Sequence, residues 1–135
     1  MTTRADIVRV ARTYIETPFA HMARLPGVGL DCAGVIVCVS RELGLVEPDF
    51  DEPPYMPTPD GRKMVELCNR YMTPVAEAAM QPGDAILLIT DVDPQHLGIL
   101  GDYLYGGFSI IHAANDARPP RVIETRLMYS RALRF

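Results

Sequence analysis

Three side chains in this 135-residue sequence could together perform nucleophilic chemistry: Cys32, His96 and His112. Cys32 follows Asp31, a good helix-capping residue, and opens the apolar run Ala33-Gly34-Val35-Ile36-Val37-Cys38-Val39. A cysteine in the first turn of a helix meets a partial positive charge and free amides, which favour a thiolate. The same amides can receive the oxyanion formed when sulfur attacks a carbonyl, and the Cys32 backbone amide is the expected donor. Position alone does not distinguish this cysteine from a small buried core residue. The histidines add the missing parts. His96 lies in Gln95-His96-Leu97-Gly98-Ile99, and His112 ends Phe108-Ser109-Ile110-Ile111-His112. Neighbouring antiparallel strands can bring two such side chains into contact. A thiol needs an imidazole to take its proton, and that imidazole needs a partner on its other nitrogen. Gly98, two residues beyond His96, adds no side chain to the same face of the strand.

These groups require helices first and strands afterwards. Thr3-Arg4-Ala5-Asp6 is a capping-box start, and Ile7, Val10, Ala11, Tyr14 and Ile15 recur at helical spacing, so a helix is predicted over 3–15, ended by Pro18. A loop with Pro26, Gly27 and Gly29 follows, then a buried central helix over 31–43 with Gly44 at its end. Residues 47–59 hold Pro48, Pro53, Pro54, Pro57 and Pro59, a stiff surface loop. Met64, Val65, Leu67, Cys68, Tyr71 and Met72 predict a third helix over 62–72. After a turn at Gln81-Pro82-Gly83-Asp84, short apolar runs predict strands over 85–90, 95–100, 108–112 and 121–125, with 101–107 closing a hairpin. This is an α+β pattern, with the central helix packed on an antiparallel sheet.

The length fits one domain, 1–135. A net charge of −4 argues against nucleic-acid binding, no apolar run is long enough to cross a bilayer, and Arg4, Asp6, Arg9 and Arg12 break up any secretory leader. Three cysteines cannot all pair within one chain, so reduced thiols are expected, with Cys38 and Cys68 in the core. No metal site is expected: there is no Cys-x-x-Cys, and Asp91 and Asp93 before Pro94 read as a turn. Asp84 likewise reads as a turn residue, and Met64, Met72 and Met80 as packing. Arg118, Arg121, Arg126, Arg131 and Arg134 form a basic C-terminal stretch, either a solvated face or a contact for an acidic partner.

Four motifs taken in order resemble the NlpC-type cell-wall peptidases, papain-like cysteine enzymes. They are Asp31-Cys32-Ala33-Gly34, Gln81-Pro82-Gly83-Asp84, His96-Leu97-Gly98-Ile99 and the strand bearing His112, and the match runs over about residues 3–125. The segment from Thr17-Pro18-Phe19 to Arg24-Leu25-Pro26-Gly27-Val28-Gly29-Leu30-Asp31-Cys32 is most similar to the short branch encoded with bacteriophage tails and gene-transfer particles. The resemblance implies a papain-like NlpC-type fold and cleavage of an amide in peptidoglycan stem peptides. It implies Cys32 as nucleophile, His96 as base and His112 as the orienting third residue, with no cofactor. It also implies tail-tip, baseplate or hub proteins as partners, and a place on a virion or phage-like tail after synthesis in the host cytoplasm. Where the family carries a tyrosine and Trp-Gly-Gly, this chain has Phe19-Ala20-His21-Met22-Ala23; Phe19 lacks the hydroxyl, and His21 and Asp31 join it as candidate substrate-side residues. Two other readings stand beside the peptidase: a structural tail component with weak or no hydrolysis, and an acyltransferase or amidase on the same fold.

Overall fold

The computed structural model describes residues 1–51, 61–90, 93–128 and 131–135. Helix α1 (Arg4–Thr13) starts with the expected capping box. The Asp6 amide donates to Thr3 Oγ1 at 3.2 Å, and the Thr3 amide donates to Asp6 Oδ2 at 2.9 Å. The helix stops before Pro18 can act: Tyr14 caps it, and Glu16 takes a left-handed φ of 77°. The cause lies in tertiary packing. Tyr14 is buried and its hydroxyl donates to Glu42 at 2.6 Å, which ties this end of the helix to its neighbour.

The segment expected as loop forms a small ribbon, β1 (Arg24–Leu25) antiparallel to β2 (Gly29–Leu30). Helix α2 (Cys32–Glu42) follows with Asp31 at its cap, and Gly44 is left-handed at φ 67°. Helix α3 (Gly61–Tyr71) begins one residue earlier than predicted and ends one earlier. Pro53, Pro54, Pro57, Pro59 and Asp91 lie outside the described residues. Among the described residues, no helix is long and apolar enough to cross a membrane.

Strands β3 (Ala85–Thr90), β4 (Asp93–Asp102), β5 (Phe108–Ala114) and β6 (Arg121–Arg126) match the four predicted runs, with β4 and β5 longer. A fifth strand, β7 (Ala132–Arg134), was not predicted. The sheet is antiparallel throughout, in the order β6-β5-β4-β3-β7. Strand β7 corrects the reading of the C-terminal arginines as one solvated face. Arg134 pairs opposite Ile86, and its side chain is only 10% exposed, beside Glu77.

Strand alternation divides the packing. Ile99, Ile111, Ala113 and Val122 face α1 and α2 with Val10, Val35 and Val39. Ala85, Leu87 and Leu97 pack with Met64 and Cys68 of α3 and with Phe135. Ile86, Leu100 and Ile110 form a third cluster on the opposite face. Cys38 and Cys68 are buried, as predicted. Asp84 is also buried; it accepts from the Gln81 amide at 2.8 Å, closing the predicted turn, and forms an ion pair with Arg4.

Candidate active site

Each of the three chemical groups is positioned by a different part of the fold. Cys32 is the first residue of α2, because Asp31 Oδ1 accepts from the Gly34 amide at 2.8 Å and fixes the helix start there. His96 and His112 stand on adjacent strands, and their rings meet: His96 Nε2 lies 2.6 Å from His112 Nδ1, with ring planes at 82°. Both rings are half-buried. The contact joins strands β4 and β5 just beyond the last pair of their ladder, Ile99 and Ile111.

The sulfur and the imidazoles are arranged around the same stretch of β4, with Cys32 packed against the cluster that holds Leu97, and with His96 next to Leu97 in the strand. Leu100 donates its amide to Asp84 and accepts from Gly83, so even-numbered residues of β4 turn their backbone groups toward β3. Leu97 therefore turns its N–H toward β5. The β4–β5 ladder ends at Ile99 and Ile111, so that N–H lies where the strands part, and its dipole favours charge on the Cys32 sulfur. By alternation, His96 projects from the face opposite Leu97, away from the helices, whereas Cys32 packs with Leu97 on the helix face. Among the described residues, no hydrogen bond joins the Cys32 sulfur to either imidazole.

Gly98 serves packing. A Cβ there would fall 2.6 Å from Ile110 Cγ1, so the space beside His96 is filled by Ile110. On the helix side, Cys32 lines an apolar cavity of about 660 Å³ with Ile36, Met64, Cys68, Leu97 and Phe135; the histidines do not line it.

The electrostatics correct one expectation. Burial pushes the Cys32 thiol up and the Asp31 carboxylate adds to this, while the amides of Leu97, Ala33 and Cys32 pull it down; the net shift is upward. The resting sulfur is a thiol, because three amide dipoles do not offset the desolvation of a charge. Burial also lowers the imidazoles, opposed by the nearby Asp116 carboxylate. His112, with the additional field of His96, falls to about 4. Both rings are thus neutral at neutral pH. One tautomer then leaves His96 ready to accept a proton: Nε2–H donates to His112 Nδ1, and Nδ1 keeps its lone pair.

Of the other candidates, Phe19 is half-buried against the main core and His21 is exposed on the loop before β1. Asp31 is buried, and its oxygens accept from Gly34, Arg24 and the Met22 amide. Sequence reasoning missed the Leu97 amide, Asp116 and Arg24. Only Asp116, a carboxylate four residues beyond His112, left a readable signal.

No protein-family model and no curated protein matches the chain. Solved structures do match its backbone. Two crystal structures of an N-acetylmuramoyl-L-alanine amidase from Bacteroides uniformis align with TM-scores of 0.56 and 0.55, each at 11% identity. The first alignment covers 97% of both chains; the second covers 92% of this chain and 89% of the other. At such identity the likeness is one of fold.

Proposed function

We propose that this protein is a cysteine hydrolase that cleaves an amide bond in the peptide part of peptidoglycan, carried to the wall on a phage-like tail. The observation that carries the reading is the 2.6 Å contact between His96 and His112, with His96 next in the strand to Leu97, against whose cluster Cys32 packs. The fold shared with structures described as an N-acetylmuramoyl-L-alanine amidase supports the substrate class.

Cys32 gives its proton to His96 Nδ1 as the sulfur attacks the carbonyl carbon, so the charged pair forms only during reaction. Unliganded sites often hold such partners apart and draw them together with substrate bound. His112 Nδ1 accepts from His96 Nε2–H and stabilises the imidazolium. The amides at the start of α2 receive the oxyanion. His96 then protonates the leaving nitrogen, and water, giving a proton back to His96, releases the acyl group from sulfur. Purified peptidoglycan incubated with wild type and Cys32→Ala tests the reading. Release of soluble peptide fragments should be lost in the variant, with the melting temperature retained. Undiminished release would reject Cys32 as nucleophile. A second reading, a structural tail component with little turnover, draws on the raised Cys32 thiol and on Phe19. Wild type inert on walls of every cross-link type would favour it.

A further inference from the structure

We propose that Arg24 is a positioning residue for the Cys32 nucleophile: its guanidinium, seated beneath the first turn of α2, pairs with the Asp31 carboxylate and balances the one negative charge adjoining the sulfur. This rests on the reading of Cys32 as nucleophile and deepens it.

The geometry is specific. Arg24 Nη1 donates to Asp31 Oδ1 at 2.9 Å and to the Ala23 carbonyl at 3.0 Å, while Nε donates to Asp51 Oδ1 at 3.1 Å. The Arg24 and Asp31 side chains are 10% and 5% exposed, so solvent screens the pair poorly. Arg41 approaches the other oxygen of Asp51 at 3.4 Å, giving a line of alternating charge from the far half of α2 back to its first residue. The helix makes room for this arrangement. A Cβ on Gly34 would lie 2.6 Å from the Ala23 carbonyl and 3.2 Å from Arg24 Nη1. Asp31 also accepts from the Met22 amide at 2.7 Å, holding that non-glycine residue at a left-handed φ of 61°. One carboxylate thus fixes both the helix start and the loop that carries His21.

Among the described residues, the titratable groups that act on the sulfur are Asp31, which caps its helix, and Cys68 from α3. The Asp31 carboxylate disfavours the thiolate. Arg24 sets an opposite charge against that carboxylate, and Asp51 and Arg41 continue the alternation away from the sulfur.

The test is the rate of iodoacetamide reaction at Cys32, followed from pH 6 to 10 with the modified residue identified by mass spectrometry. Arg24→Met should move the reactivity profile to higher pH and slow the reaction below its midpoint by about tenfold, the effect of one pKa unit. Asp31→Asn retains a capping side chain and removes the negative charge beside the sulfur, so its profile should move to lower pH. Arg24→Lys should fall between wild type and Arg24→Met. Opposite shifts in the first two variants are a charge signature that loss of structural support would not give. If Arg24→Met does not fold, Asp31→Asn and Arg24→Lys decide the question. Profiles that coincide with wild type, or that shift the same way in Arg24→Met and Asp31→Asn, overturn the proposal. An enzyme inert on peptidoglycan whose Cys32 profile still moves as expected would fail the substrate reading and leave this one standing.

Discussion

Acidification should destabilise this protein through His112, and the size of the effect follows from its burial. An imidazole in an unfolded chain titrates near 6.5, whereas His112 in the folded protein is held at about 4. A group with a depressed folded value contributes no penalty above the unfolded value. As pH falls below 6.5, the unfolded chain takes up a proton that the folded chain refuses, so stability declines until the folded value is reached. Between pH 7.5 and 4.5 the loss from this residue is about 2.5 kcal/mol. His96 is shifted in the same direction and adds to it. The assay is urea unfolding followed by far-ultraviolet circular dichroism at several pH values, for wild type and His112→Gln. Glutamine stays neutral throughout, so the variant should lose about 2.5 kcal/mol less than wild type over this interval, whatever its stability at pH 7.5. The carboxylates held low, Asp6, Asp102 and Glu124, are common to both proteins and cancel in the comparison. Parallel stability curves between pH 6.5 and 4.5 would refute the argument. They would mean that the ring accepts its proton in the folded state, and that the neutral pair required for His96 to act as base does not exist.

Two further predictions concern the same surface. Asp116 raises both imidazoles, so Asp116→Asn should lower their midpoints in an NMR titration of the ring protons, and the acid limb of any activity should move to lower pH. Unmoved midpoints would show that solvent screens the carboxylate. Gly98→Ala places a methyl group 2.6 Å from Ile110 Cγ1 and should cost about 1–3 kcal/mol in urea unfolding. Replacing Ile110 by Val in that background should recover part of the loss, whereas a neutral Gly98→Ala would show that the strands can spread.

Much of this arrangement is local and can be read in order along the chain. The Thr3–Asp6 box, the Asp31 cap and the turn closed by Asp84 each join residues within three positions, so neighbours in sequence set them. Alternation put both histidines on outward-facing strand positions, and strand pairing brought them together. Three features were beyond such reading. Strand β7 is three residues long and forms because it finds the edge of β3. The end of helix α1 is tied through Tyr14 to Glu42, 28 positions away. The Cys32 thiol is raised rather than lowered because burial, which no local pattern reports, outweighs the helix amides.

The amino-acid order by itself determined which groups can react and which element carries each, since capping, periodicity and turn chemistry act within a few residues. Tertiary structure decided what surrounds those groups. The Leu97 amide lies where β4 parts from β5 and its dipole favours charge on the sulfur, and the fold of the β1–β2 ribbon brings Arg24 beneath Gly34. Both depend on packing between distant segments, where desolvation and close approach set the energies.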